Sequence, residues 1–590
     1  MHLLHGQSAF DSLAAPSFQR GWREVYAACP WSTAFQSIDF ATAWYESYQR
    51  CYAPVLIYEL SADHRITGLL PLARELSSQR IVAVGGHQAE YQGWLALPGN
   101  DAAFINGALE MLSHELKAKS LSFKYLPMGT PAEWVHETAP WISELTLHPR
   151  AIIPLDSDAK VASYLAEKMR RRSTRNYWNR LKRLGDLRFE RIRETEQFDR
   201  VFHELIVYYD MRQGATHGKF AFEQDPEKRA FHMALMRQNL LHITLLRAGS
   251  GILSAKIGLI SGKTYSGLMP IFSPFCAELS PMTVHLLMLV EDLQREGYET
   301  LDLTPSADPF KERFAAEFDS VNALSIHFHK ATWLKNKLGR QLEWAGRRTL
   351  QSLRIDPVAA RAHVQQLTRV PAKAWLLAIT NNLARLMRRQ RSDTLIYWIE
   401  RVKARAAGVP GEISRDVLED LLAFEPAEYL QTRRSFLSEA LKRIERKHHF
   451  YTRTEQRRLL CCAWIAENGN PGFALPTPEE CGIAFPAGAP LLYDFYTHPA
   501  ARGRKFYETA LRQMIHDAAG TSSAGYIFAS VPVHNFLLRE VLETLGFQCS
   551  ASASRKGLHG CEEEKSRNRE RSRDRWAERT KLNGRASWLG

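Results

Sequence analysis

Asp302, Asp308 and Lys311 are the strongest candidates for chemistry in this sequence. Asp302 lies in a short apolar run, and the other two follow it within nine positions, so two carboxylates and an amine gather near one strand end. A lysine there could hold a phosphate or a developing oxyanion, and a carboxylate could accept a proton. The alternative, of equal weight, is a Lys–Asp surface pair that stabilises a loop.

A second concentration of charge lies between residues 168 and 183, where eight Lys and Arg occur in 16 residues without an acid. Such a segment could bind an acidic substrate or phosphates. The pattern nevertheless favours a solvated helix face. His217 and His232 could act as bases near neutral pH, but isolated histidines in helices are more often structural.

Several common reaction classes are excluded because their motifs are missing. The sequence has no GxSxG elbow, Walker P-loop, GxGxxG or HExxH, and its eight cysteines form no CxxC pair, so we expect no metal. No apolar run reaches the roughly 18 residues that a membrane span needs. The first residues lack the pattern of a secretory signal. A cytoplasmic protein is the expectation.

The net charge of +13 is concentrated in two places. Residues 330–391 carry 14 Lys and Arg against only Glu343 and Asp356, a net of +12, and residues 555–590 carry 11 basic against 6 acidic residues, a net of +5. The remainder is ordinary in charge. This distribution argues against nucleic acid as the partner of the whole chain.

Helix and strand patterns alternate along the chain and indicate an α+β protein. Ala34 to Arg50 is periodic like a helix, with Ser37 and Asp39 as cap candidates, and Pro54–Leu60 and Ile66–Ala73 form a hairpin pattern. The expected parts are listed with their boundaries: 1–155, an N-terminal half; 156–330, a second domain; 331–391, a basic helical connector; 392–554, a C-terminal domain; and 555–590, a disordered basic tail.

One unit occurs at least twice: a strand, a helix and another strand. In the second part the helix starts at Ser280-Pro281, between strands Thr264–Ile271 and Tyr298–Leu303. In the C-terminal part a helix after Arg502 separates two similar strands. The free N–H groups at such a helix start favour an anion such as a pyrophosphate, although many αβ proteins have similar ends.

Residues 491–547 resemble the cofactor-binding half of a GNAT acyltransferase. Arg502, Gly503 and Arg504 occupy the place of the GNAT phosphate loop, and Asn535 precedes a Gly-Phe pair as in the family's ending. The resemblance implies that these four residues bind the cofactor. Two glycine positions of the family pattern hold Lys505 and Tyr507, whose side chains could obstruct binding.

A larger resemblance covers residues 30–330. The blocks AFQSIDFATAWYESY, GLLPLARE, EYQGWL and LSPMTVHLLMLVEDLQREGYETLDLTPSADPFKERFA occur in the order of the CelD/FemAB-like acyltransferases, tandem GNAT-type proteins associated with exopolysaccharide and cellulose synthesis. In that family the last block is a strand ending in Asp, a polar loop and a Tyr-Lys pair. Here Asp302, Asp308 and Phe310-Lys311 match it, with Phe in place of Tyr.

The two resemblances imply repeated GNAT-like units with mixed, mostly antiparallel sheets flanked by helices. They also imply transfer of an acyl group, first of all acetyl, from acyl-CoA to an amine or hydroxyl of a small molecule or saccharide, such as an envelope precursor. Asp302, Asp308 and Lys311 would be catalytic. The implied cofactor-binding residues at the helix start are Ser280, Met282, Thr283 and His285.

Two other functions stay open at this point. The chain could use aminoacyl-tRNA, as Fem transferases do, since the basic segment 168–183 permits contact with RNA. It could also be a non-catalytic interaction protein whose GNAT folds have lost their cofactor. The connector 331–391 likewise has two interpretations, a helix packed on its neighbours, which the pattern favours, or a basic amphipathic segment on an anionic membrane surface.

Overall fold

A computed structural model describes most of the chain: residues 1–136, 140–306, 308–352, 392–407, 413–426, 432–467, 488–521, 524–533 and 535–555. The chain divides into two compact units. The first comprises residues 1–209 and 221–354, and the second comprises 210–220 and 355–590. The connector after residue 352 and the tail after residue 555 lie outside the described residues.

The first sheet of the first unit is small and antiparallel. Its strands are β1 His2–His5, β2 Tyr52–Leu60, β3 Ile66–Glu75, β4 Ile81–Ala83 and β5 Leu95–Ala96, with β5 paired to β3. The surrounding helices are α1 Gln7–Ala14, α2 Pro16–Ala28, α3 Ile38–Tyr48 and α4 Asp101–His114. The predicted hairpin is confirmed as β2 and β3, which pair antiparallel.

Helix α3 begins where the sequence provides a cap. The Ser37 hydroxyl accepts the Phe40 N–H at 3.2 Å, so Ser37 caps the helix. The residues before it, Ala34–Gln36, form a separate 3-10 turn, so the α-helix starts four residues later than predicted. The buried ring of Phe40 lies 5.5 Å from that of Phe231, which joins α3 to the second half of this unit.

The second sheet has eight strands in the order β6-β13-β7-β12-β11-β10-β9-β8. The strands are β6 Ser120–Phe123, β7 Ile142–Pro154, β8 Leu187–Ile192, β9 Leu241–Ala248, β10 Gly251–Ser261, β11 Thr264–Phe272, β12 Thr300–Pro305 and β13 Glu317–His327. All neighbours are antiparallel except β11 and β12, which are parallel. Together with the helices, this confirms the α+β class.

The helices of this half are α5 Asp158–Arg170, α6 Arg172–Lys182, α7 Thr195–His217, α8 Glu227–Arg237, α9 Pro281–Arg295, α10 Pro309–Phe314 and α11 Lys330–Ser352. The basic segment 168–183 does not form the one continuous helix face that the sequence favoured, because Arg171 is extended, with ψ of 122°, and divides the segment between α5 and α6. Among the described residues, no helix is long and apolar enough to cross a membrane.

The division expected at residue 155 does not separate the two sheets. Strands β6 and β7 precede it, yet β7 pairs with β12 on one side and with β13 on the other. Removing residues before 155 would therefore leave β12 and β13 without the strand between them. The two halves share a sheet as well as a core.

The second unit contains a seven-stranded sheet in the order β15-β16-β17-β18-β19-β14-β20. Its strands are β14 Ser392–Glu400, β15 Ser414–Arg415, β16 His449–Glu455, β17 Arg458–Ala466, β18 Leu491–Thr497, β19 Tyr526–Pro532 and β20 Gln548–Arg555. Its helices are α12 Arg401–Ala407, α13 Leu418–Leu422, α14 Arg433–Glu445, α15 Phe506–Thr521 and α16 Phe536–Thr544. Strands β18 and β19 are parallel and α15 connects them, so the strand–helix–strand unit occurs in both units.

Candidate active site

A wedge opens between strands β11 and β12. Their parallel pairing covers Thr264–Ser266 and Thr300–Asp302 and stops there in the part of the chain that the structure describes. Beyond it β11 continues to Phe272 and β12 to Pro305 without further pairing between them. We call the space between Gly267–Phe272 and Leu303–Pro305 the wedge. Strand edges that have separated present backbone groups to a ligand, which can bind there as an additional strand would.

Asp302 lies at the closed end of the wedge and is 1% exposed. Its Oδ1 accepts the Thr304 N–H at 2.7 Å, and its Oδ2 accepts the Tyr91 hydroxyl at 2.5 Å. Arg150 Nη1 lies 3.5 Å from the same Oδ2. The buried carboxylate is therefore surrounded by three donors, as a buried charge requires, and two of them, Tyr91 and Arg150, come from distant parts of the chain.

Burial and these donors act on the Asp302 carboxyl in opposite directions. Burial raises its pKa above the ordinary value and is the largest effect, while Arg150, the Tyr91 hydroxyl and the Thr304 N–H oppose it. Arg150 is itself shared, because its Nε donates to Asp319 Oδ1 at 2.8 Å. A carboxylate with a raised pKa is suited to accepting a proton.

Lys311 reaches the same residue, Thr304, from the opposite side. Its ammonium donates to the Thr304 carbonyl oxygen and to the hydroxyl oxygen, both at 2.9 Å. Thr304 has a φ of 67°, which is unusual for a β-branched residue. Burial lowers the pKa of Lys311. Asp302 and Lys311 thus hold one strained residue between them, and the structure brings these two predicted residues together.

Asp308 has a different position from the other two. Its Oδ1 accepts the Phe310 N–H at 2.7 Å and caps α10, the helix that carries Lys311. The Phe310 ring, which stands at the family's Tyr position, packs 4.7 Å from that of Phe314. In this structure Asp308 orients the helix of Lys311 instead of meeting Asp302.

Helix α9 starts soon after β11 ends, following the six-residue 3-10 segment Pro274–Leu279. Ser280 is left-handed, with φ of 45°, and its side chain makes no capping hydrogen bond. Pro281 follows, and Met282 and Thr283 are buried. The first N–H groups of a helix without a side-chain cap favour an anion.

His285 is fully buried on α9. One ring nitrogen lies 2.9 Å from Thr244 Oγ1 and the other 2.8 Å from Ser254 Oγ. Burial is the largest cause of its lowered pKa, followed by the charge of Lys256. The neutral ring joins α9 to β9 and β10, so a role in cofactor binding would be to position α9.

The corresponding loop of the second unit is exposed. Gly503 and Lys505 are both left-handed, with φ of 83° and 58°. Arg504 bonds both oxygens of Glu455, at 2.9 and 3.0 Å. Arg502, next to them, is also exposed. A lysine therefore occupies a backbone conformation that favours glycine.

The side chains at the other two positions of that pattern, Asn535 and Tyr507, make a capping and a packing contact. Asn535 Oδ1 accepts the Leu538 N–H at 3.2 Å and caps α16. The Tyr507 ring, half-buried, meets that of Phe495 at 5.9 Å. Whether the loop binds a cofactor stays a prediction.

Three residues of types that can bind a metal ion lie together near the C-terminal end of α9. His242, Asp292 and Glu296 offer ligand atoms within 4.8 Å of one another. However, Arg193 Nη2 bonds Glu296 at 2.7 Å, and burial followed by the charges of Arg191 and Arg193 lowers the pKa of His242 to about 2. Two guanidinium groups offset the two carboxylates, so we interpret the cluster as an ion-pair network.

Sequence reasoning missed three residues of the site. Tyr91 lies in a block that carried the family resemblance, but nothing indicated its partner. Arg150 lies on β7, which the sequence does not predict as a strand. Thr304 follows directly after the predicted strand Tyr298–Leu303. Only pairing between distant strands brings them together.

Residues 168–312 match the family model described as an acetyltransferase (GNAT) domain. This stretch is thus similar to a GNAT acetyltransferase domain. It contains β11, α9 and β12, and it ends one residue after Lys311. The matched stretch therefore includes the wedge, Asp302 and Lys311.

Three solved structures show limited similarity. The C-terminal domain of a putative lysylphosphatidylglycerol synthetase from Agrobacterium fabrum is 11% identical, covers 51% of this chain and 95% of its own, and has a TM-score of 0.35. FemX is 11% identical, with 52% and 95% covered and a TM-score of 0.38. L-PGS from Bacillus licheniformis is 13% identical, with 54% and 96% covered and a TM-score of 0.35. No curated protein matches the chain.

Proposed function

We propose that this protein is an acyl-CoA-dependent acyltransferase whose working site is the wedge of the first unit. The observation that carries the proposal is the parallel pair β11 and β12, which opens at Asp302 inside the matched GNAT domain. Acyl-CoA would lie along β11, with its pyrophosphate at the first turn of α9. The N–H group of Met282 would bind a phosphate, whereas that of Thr283 already donates to the Ser280 carbonyl oxygen at 2.9 Å.

The reaction follows from the groups around Thr304. The amine or hydroxyl of the acceptor attacks the thioester carbonyl carbon, and its proton passes to Asp302. The ammonium of Lys311 stabilises the negative charge that develops on the carbonyl oxygen. The C–S bond then breaks, and CoA leaves as the thiolate and takes up a proton.

The acceptor would enter between the two halves of the first unit. Support comes from Tyr91, which reaches Asp302 from the region of the first sheet. We further propose that the acceptor is a saccharide or an envelope precursor of the exopolysaccharide type, on the basis of the CelD/FemAB-like resemblance.

Contact with a membrane surface is a separate proposal for the segment beginning with α11. Trp333 Nε1 and Arg340 both donate to Glu144 on β7. Leu334, Leu338 and Leu342, one turn apart, remain largely exposed, Leu342 at 71%. An exposed apolar row on a basic helix supports peripheral binding to anionic lipid.

Calorimetric titration of acetyl-CoA into the full chain tests the proposed function. A Cβ at Gly267 would lie 3.6 Å from the Asp302 carbonyl oxygen, so the longer side chain of Gly267→Leu fills the closed end of the wedge. We expect this variant to bind acetyl-CoA at least about tenfold more weakly, a loss of about 1.4 kcal/mol. Gly251→Leu, in the β9–β10 hairpin, is the matched control.

Unchanged binding by Gly267→Leu, with an unchanged melting temperature, would refute the wedge as the site. If the wild type binds no acetyl-CoA while its transferase activity is lost on ribonuclease treatment, the aminoacyl-tRNA alternative replaces the proposal. Absence of both binding and activity favours the non-catalytic alternative.

A further inference from the structure

Lys256 is a buried lysine that the proposed reaction does not use. It lies on β10, where it pairs with Thr244 of β9 and with Pro270 of β11. Its side chain is only 8% exposed. Pro270 belongs to the part of β11 that has separated from β12, so Lys256 lies beside the wedge and not beneath the closed sheet.

The direction of the Lys256 side chain follows from its strand neighbour. Residues two apart on a strand share a face, and Ser254 bonds His285 of α9. Lys256 therefore points to the α9 side of the sheet, and its charge contributes to the lowered pKa of His285. Its ammonium also lies 5.9 Å from the ring centre of Phe310, on α10. These contacts place the ammonium between α9, which precedes β12, and α10, which follows β12.

Within the described ranges, the ammonium of Lys256 has no anionic partner, since it makes no side-chain hydrogen bond and no ion pair. Burial is the only cause that lowers its pKa, to about 8. The distant face of Phe310 attracts a cation weakly and does not replace a counterion. Buried charges in proteins are normally paired, so an unpaired one beside a cleft requires an explanation.

We propose that Lys256 is an anion-binding residue of the wedge and that its ammonium binds an oxyanion carried by the ligand. In a site of low dielectric, a charge-assisted hydrogen bond of this kind is stronger than in water. Its small exposed fraction favours a carboxylate at the end of the acyl chain over a bulkier diphosphate. The acyl group would then be that of a dicarboxylic acid.

This inference rests on the proposed function and is tested with three ligands. CoA, acetyl-CoA and succinyl-CoA are titrated into the full chain, into Lys256→Met, which keeps the length but loses the charge, and into Lys256→Arg. We expect the wild type to prefer succinyl-CoA over acetyl-CoA by about tenfold or more. Lys256→Met should lose that preference, and Lys256→Arg should keep part of it. Lys263→Met, in an exposed turn, is the control.

The outcomes separate the sources of the anion. If Lys256→Met weakens only succinyl-CoA, the anion is the acyl carboxylate. If it weakens all three ligands equally, the anion is a phosphate of CoA, and the residue still binds an anion. If Lys256→Met binds every ligand as tightly as the wild type does, the inference is overturned while the proposed function stands. If the wild type binds none of them, the proposed function fails first and this inference with it.

Discussion

The hydroxyl of Tyr91 donates a hydrogen bond to Oδ2 of Asp302 at 2.5 Å, although 211 positions separate the two residues. Tyr91 lies in the loop between β4 and β5 of the first sheet, and Asp302 lies on β12 of the second. Burial of its ring and the neighbouring carboxylate both raise the pKa of Tyr91, so the phenol keeps its proton and donates. The first sheet thus helps to build the site in the second.

Replacing Tyr91 with phenylalanine should destabilise the protein. Asp302 would lose one of three donors while remaining buried, and a hydrogen bond to a charged group contributes about 1.5–3 kcal/mol. We expect a loss of that size in the free energy of unfolding, measured by urea denaturation. Tyr58→Phe, at a half-buried ring on β2 of the first sheet, is the control. A loss no greater than that of the control would mean that Arg150 and Thr304 are sufficient.

The backbone at Thr304 predicts an unusual order of stabilities. At a φ of 67°, alanine keeps the steric conflict of threonine, whereas glycine removes it. Both substitutions lose the hydroxyl that accepts from Lys311. We therefore expect Thr304→Gly to be more stable than Thr304→Ala by about 1 kcal/mol, by chemical denaturation.

The reverse order of these two variants would show that Thr304 is not strained. The same pair of substitutions at Thr300, at the start of β12, provides the control. There a strand conformation is ordinary, and glycine should be the less stable of the two by about 0.5–1 kcal/mol.

Local patterns were sufficient for the elements that carry the wedge. The strands predicted as Thr264–Ile271 and Tyr298–Leu303 correspond to β11 and β12, and helix α9 follows from Pro281 at a first-turn position. Each of these signals lies within a few residues of the element it defines, so the sequence alone shows it.

Contacts between distant strands were not predictable in the same way. Strand β7 carries polar residues and Pro149, so its place between β12 and β13 depends on pairing with partners 146 to 185 positions away. The break at Arg171 has neither Gly nor Pro to mark it. The proximity of Asp302 and Lys311 could therefore be predicted from the sequence. The contacts of Arg150 and Tyr91 with Asp302 could not.

His232 should make the stability of the protein sensitive to acid. Its ring is buried, with Nδ1 2.8 Å from the Lys228 carbonyl oxygen, and burial lowers its pKa from 6.5 to about 4. The unfolded state therefore binds a proton that the folded state does not bind between these two values. Stability from this group is present above pH 6.5 and is lost as the pH falls, by about 2 kcal/mol between pH 7 and pH 5.

The variant His232→Phe tests this linkage, since its ring would join the nearby rings of Phe202 and Phe222. Between pH 7 and pH 5, we expect the free energy of unfolding of this variant to fall by about 2 kcal/mol less than that of the wild type. Phe202→Leu removes packing without removing a titrating group and should run parallel to the wild type. Parallel curves for His232→Phe would contradict the linkage.

Lys505, in the second unit, tests how much a left-handed backbone conformation costs in stability when the residue is not glycine. It is exposed and left-handed, with φ of 58°, at a position where the family pattern has glycine. Lys505→Gly should therefore stabilise the protein by about 1 kcal/mol. The same substitution at exposed Lys442, inside helix α14, should destabilise it by about 1 kcal/mol.

The Lys505→Gly variant also tests whether the second unit has lost its cofactor site. If the lysine side chain alone obstructs the loop, calorimetry of the full chain should rise from one acetyl-CoA per chain to two. Because the Tyr507 ring, packed on Phe495, remains in place, we expect the count to stay at one and the stability to increase. A count of two would mean that the loop needs only its glycine, and a count of two already in the wild type would mean that neither side chain obstructs it.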